Sequence, residues 1–155
     1  TTEIYTLSLH DALPISFLIF ILILILSYFV LDVPIKGNLL ILFFVAVIYI
    51  VLTLIYGLTI STLVDKQINA VIVSAITTMV PVLMLSGMIF PINNMPPVLQ
   101  GFSVIVPARW FISAVRKVMI QGQGIIMIWK ELAILIGMSL VLLGVTIANT
   151  KKRLE

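Results

Sequence analysis

Residues 85–102 read LSGMIFPINNMPPVLQGF, and the fold turns on how that stretch is read. Three prolines and two asparagines forbid one continuous helix here, yet the residues between them stay apolar instead of becoming a hydrophilic loop. Prolines at 96 and 97 suit a helix start, where the missing N–H would have had no helical partner anyway. Pro107 opens a second helix, ARWFISAVRKVMIQ, and Gly122 can stop it. On that helix Arg109, Ser113, Arg116 and Lys117 share one face at spacings of four, seven and eight, with Phe111, Ala114, Val115 and Val118 opposite. Each piece is too short to span a bilayer, and a basic residue at the bilayer centre costs about 2.5–3.5 kcal/mol. Residues 91–124 are therefore expected to form a re-entrant or interfacial helical hairpin. A plain amphipathic helix on the headgroups is the simpler alternative.

Composition supplies the setting for such a hairpin. The 155 residues are 62% hydrophobic and 10% charged, with mean hydropathy +1.30, which is far from a soluble domain. The expected fold is an all-α integral membrane protein, with four transmembrane helices and the hairpin before the last one. The spans fall at about 17–31, 39–61, 70–90 and 126–150, as uncharged or nearly uncharged runs. The first, with fifteen residues, reaches only roughly 22 Å and is short for a core of about 30 Å. Before it, TTEIYTLSLHDALPIS resembles translated sequencing-adapter read-through, so residues 1–16 are read as a non-native tail ahead of a transmembrane unit, 17–155, cut from a longer chain, the alternative being a genuine short amphipathic tail.

Small residues at four-residue spacing, Gly57 with Ser61, Ala70 with Ser74 and Thr78, and Gly144 with Ala148, mark expected helix contacts. Ser74, Thr77 and Thr78 either pack in this way or line a polar path. Pro81 should disturb the third span. Lys130 and Glu131 read as snorkelling anchors at the mouth of the last span. Four basic residues at the termini and the 62–69 turn oppose five at the other end, which decides nothing; with the three bases of the hairpin set aside the count is four against two, a lean towards cytoplasmic termini.

Several function classes lose support on the same residues. The net charge of +3 comes from bases scattered at segment ends, with no patch to grip nucleic acid. There is no cysteine for a thiolate metal site, and the one histidine lies in the tail. No nucleophile–base spacing, metal-ligand motif or G-x-x-x-x-G-K-[ST] loop occurs, so no catalytic and no metal-binding residue is assigned.

LSGMIFPINNMPPVLQGFSVIVPARWFISAVRKVMIQGQG (85–124) resembles the signature region of ABC type-2 transporter permeases, most of all their multidrug-export branch. VPIKGNLLILF and GLTISTLVDKQINA extend the likeness upstream, while Val106 and Trp110 stand where the family commonly has asparagine and tyrosine. The resemblance implies a C-terminal part of a permease whose gate motif falls on Ser86, Gly87, Phe90, Pro91, Met95, Pro96, Gln100, Pro107 and Arg109. It implies two partners, a cytoplasmic ATPase subunit that binds ATP and magnesium, and a second permease subunit, alike or different. Asp65, Lys66 and Gln67 become candidates for ATPase contact, or else a solvated turn. The implied role is export of a drug, lipid or similar amphipathic substrate across a bacterial or archaeal plasma membrane. A membrane anchor or regulatory subunit that moves nothing is the alternative.

Overall fold

The computed structural model describes residues 2–30, 32, 34–64 and 67–154, with side chains for 10–30, 32, 34–64 and 68–149. All regular structure among the described residues is helical: α1 (Thr2–Phe29), α2 (Leu39–Leu63), α3 (Gln67–Leu85), α4 (Pro97–Ser103), α5 (Pro107–Met119) and α6 (Ile125–Leu154). A single 3-10 turn, Ile92–Asn94, stands between α3 and α4. Four helices are long and apolar enough to cross a membrane, through His10–Phe29, Leu39–Leu63, Ile68–Leu85 and Ile125–Asn149. The remaining pair, α4 and α5, is bent by 85° at the break between them.

Helix boundaries follow local chemistry. Asn38 caps α2, its side-chain oxygen accepting from the Leu40 amide at 2.9 Å. The apolar run 70–90 does not stay helical to its end: α3 stops at Leu85, and Gly87 turns the chain with φ +80°, a conformation that L side chains avoid. Pro81 lies within α3, which continues through it. The helix that carries the first apolar run begins before 17, because the α1 backbone is already helical from Thr2, through Pro14. Its span window of 20 residues then covers about 30 Å, and the shortfall expected of 17–31 disappears.

The core lies where α2, α5 and α6 converge, on Leu42, Val45, Ala114, Val118, Met119, Ile128 and Leu132. Phe20 and Leu24 of α1 pack against it, and Phe17 meets Phe43 edge to face at 4.9 Å. Beyond the hairpin α2 and α6 stay in contact through the hydroxyls of Thr59 and Thr146, 2.6 Å apart. Helices in lipid gain little from burying apolar surface against each other, so such a bond, worth about 0.6 kcal/mol on average, is a sizeable share of the contact.

The expected small-residue seams do not form between these helices. Gly57, Ser61, Gly144 and Ala148 are exposed, and a Cβ added at either glycine would meet nothing within 4 Å. Branched aliphatics and the threonine pair carry the α2–α6 contact instead. No described residue in the apolar stretches of α1 and α3 is buried, so both present greasy faces outward, as lipid or another subunit would require.

Candidate functional site

Depth in the membrane can be counted along α2. Ile105, Val106 and Pro107, at the α4–α5 break, share a cavity of about 240 Å³ with Leu52, Thr53 and Tyr56. Leu52 lies thirteen residues into α2, roughly 20 Å along its axis. One turn later Phe111 stacks on Tyr49, with ring centres 4.1 Å apart and planes within 10°. At the far end of α5 the Met119 carbonyl accepts from the Lys36 amide at 2.9 Å, just before α2 begins. The chain thus enters along α4, turns past mid-depth and climbs out along α5. The two ends of the bent pair lie towards the same end of the bundle, the geometry expected of a re-entrant hairpin.

Two glycines permit its seating. A Cβ on Gly37 would lie 2.2 Å from the Val118 carbonyl oxygen, so only glycine lets the loop before α2 pass over α5. Gly122, with φ +64°, reverses the chain after α5 towards α6.

The motif residues hold the bend together. Pro91 begins the 3-10 turn, its carbonyl accepting from the Asn94 amide at 3.0 Å. Pro96 precedes α4, and Gln100 on α4 donates from its side chain back to the Met95 carbonyl at 2.9 Å. Arg109 reaches across from α5: its Nη1 donates to the Gln100 carbonyl at 3.2 Å and to Ser103 Oγ. Ser103, fully buried, itself donates to the Gln100 carbonyl at 2.7 Å. Trp110 adds a bond from its indole N–H to the Val104 carbonyl at 2.9 Å and lies under the Arg109 guanidinium at 5.2 Å. A charged donor near mid-depth is tolerable because it bonds a carbonyl in the last turn of α4 and the buried Ser103 hydroxyl.

The polar face of α5 is not simply turned to headgroups. Lys117 pairs with Glu131 of α6 at 2.6 Å, and Ser113 donates to the same carboxylate oxygen at 3.2 Å. Glu131 is 4% exposed, and its other oxygen has no hydrogen-bond partner among the described residues. The snorkelling role expected of Glu131 is therefore corrected: its side chain faces α5, while that of Lys130 is exposed as expected. Glu131 and Ser103 are the important residues that sequence reasoning missed. An acid at the head of an apolar run was a signal for the first, and position i+3 from Gln100 for the second.

Other expected residues distribute as follows. Thr77 and Thr78 line the cavity at the hairpin turn together with Pro107, whereas Ser74 is not among its lining residues and bonds the Val71 carbonyl on its own helix. Phe90, Pro91, Met95 and Pro96 line a larger apolar groove of about 580 Å³ with Met84 and Leu99. Ser86, Gly87, Pro91 and Arg109 line a third, polar groove along α5. Asp65 and Lys66 lie outside the described residues, as does the side chain of Gln67, whose backbone begins α3. No group of three or more residues suited to a metal ion occurs among the described residues.

The family profile of the ABC-2 type transporter matches residues 2–120. Over 154 residues, 99% of the chain, it is 35% identical to the "Probable multidrug ABC transporter permease YbhS" of Escherichia coli strain K12, and equally to that of strain O157:H7. The "Probable multidrug ABC transporter permease YbhR" of strain K12 is 32% identical over 101 residues, 65% of the chain. The chain spans 41% of the length of the first relative and 27% of the second in these matches. No solved structure matches.

Proposed function

The chain belongs to the ABC-2 type transporter family, and from that premise we propose that it serves as a transmembrane permease subunit of an ABC exporter in a bacterial or archaeal plasma membrane. With a second permease subunit it forms the path by which a drug, lipid or similar amphipathic substrate moves outward. A separate cytoplasmic subunit binds ATP and magnesium and supplies the work. The observation that supports the reading is the hairpin, fastened through Arg109 and packed against α2, α3 and α6, an element suited to gate one end of the bundle. The cavity at its tip, lined by Thr77, Thr78 and two tyrosines, is a polar-edged apolar space suited to an amphipathic substrate.

Inverted membrane vesicles carrying the protein with its companion ATPase and second permease provide the test. They should accumulate a fluorescent amphipathic drug only when ATP is supplied, and Thr77→Trp, which fills the tip cavity, should slow accumulation several-fold without reducing the amount of complex. ATP hydrolysis with no substrate movement, unaffected by that substitution, would assign the chain to an anchoring or regulatory role.

A further inference from the structure

We propose that the polar groove along α5 binds the phosphate of a membrane phospholipid, whose acyl chain lies in the adjoining apolar groove beside α3. The polar groove runs from Arg109 to Gln121, takes in Ser86, Asn93 and Arg116, and encloses about 260 Å³. That is below the ~300–1,000 Å³ usual for a whole drug-sized ligand, and fits a headgroup better. Three bases line it, but Lys117 is neutralised by Glu131, whereas neither guanidinium has a carboxylate within ion-pair distance among the described residues. Arg109 spends one nitrogen on neutral oxygens of α4, and the Arg116 guanidinium has no hydrogen-bond partner among the described residues, although the Arg116 carbonyl accepts from the Ile120 amide. Two uncompensated guanidiniums beside amide side chains favour a phosphate, which matches their planar fork in geometry and charge.

A lipid is favoured over a free anion by what lies next door. Pro91 lines both grooves, the polar one and the apolar one of about 580 Å³ formed with Val80, Met84, Leu85, Phe90 and Leu99. Arg109 marks the deep end of the polar groove, while Ser86 just past the end of α3, Arg116 in the last turn of α5 and Gln121 just past it mark its shallow end, where headgroups would lie. Head and chain of one amphiphile would thus occupy adjoining spaces. This inference is independent of the transport reading, since a resident lipid would bind there whether or not anything is moved.

Native mass spectrometry of the detergent-solubilised chain can test it, with phosphatidylglycerol, diacylglycerol of the same chains, and inorganic phosphate as probes. The protein should retain phosphatidylglycerol and not diacylglycerol. Arg116→Gln, at a side chain that makes no hydrogen bond or ion pair among the described residues, should weaken retention by at least about tenfold with helix content unchanged, and Arg116→Lys should restore part of it. Met84→Trp, at an exposed groove position, should weaken phosphatidylglycerol by several-fold. Equal retention of diacylglycerol, or no effect of Arg116→Gln, would overturn the proposal. Phosphate binding as tight as that of the lipid would reassign the groove to a free anion, and loss of lipid upon dimerisation would reassign it to a second copy of the chain.

Discussion

Glu131 is the residue at which reading by position and reading by contact part company. Its neighbour Lys130 is exposed, but the 100° step of the helix swings Glu131 onto α5, where Lys117 and Ser113 both meet its Oε1. The pairing could not be seen in the sequence, since it depends on the register between α5 and α6 and hence on how deep the hairpin reaches. A buried carboxylate that loses its only cation retains its desolvation penalty without the compensating attraction. Lys117→Met should therefore destabilise the protein by about 3 kcal/mol, somewhat less for the part of Lys117 that remains solvated. The double variant Lys117→Met/Glu131→Leu should recover most of the loss, because it removes both charges. Unfolding of the wild type, Lys117→Met, Glu131→Leu and the double variant in mixed micelles closes the cycle, and a strictly additive double variant would show that the pair contributes no coupling.

At the scale of the element, the hairpin was legible in outline. Prolines at 96 and 107 and the glycine at 122 marked its pieces, and the structure begins α4 and α5 within a residue of the expected starts. What the pattern could not reveal is why the bend holds its 85° angle, since the fastening runs from an arginine side chain to a main-chain carbonyl and a serine. The distinction predicts unequal effects at the two motif residues. Arg109→Ala removes both charge-assisted bonds, each worth about 1.5–3 kcal/mol where desolvated. Gln100→Ala removes only the bond to the Met95 carbonyl, worth about 1 kcal/mol, because Arg109 uses the main chain of Gln100, which alanine retains. Hydrogen exchange should quicken through residues 97–110 by tenfold or more in the arginine variant and far less in the glutamine variant, with α2 and α6 unchanged. Equal effects at both positions would contradict the clamp.

For the whole molecule, the span count followed from hydropathy because lipid leaves the backbone few alternatives, and four apolar runs became four membrane-crossing helices. The contacts between them were less legible: in a bilayer almost every apolar face can meet lipid or protein at similar free energy, so small-residue spacing at Gly57 and Gly144 did not select the faces that touch. Topology follows from the hairpin together with the count. If α4 and α5 turn back near Leu52, residues 91–124 begin and end at one end of the bundle and the α2 C-terminus lies at the other. Were the bent pair instead one broken span, there would be five crossings, and the two flanks of the hairpin would lie on opposite sides. The chain has no cysteine, so single cysteines can be placed at Asn93, Gln123 and Leu63 and probed in intact cells with a membrane-impermeant thiol reagent, before and after permeabilisation. Cysteines at 93 and 123 should label together from the outside, and the one at 63 only after permeabilisation, a result that would put the basic C-terminus in the cytoplasm. Labelling of 93 and 123 from opposite sides would make the hairpin a fifth span. The Phe111–Tyr49 stack and the Lys36–Met119 bond, which require α5 to rise beside the first half of α2, would then be the wrong contacts for the membrane-embedded protein.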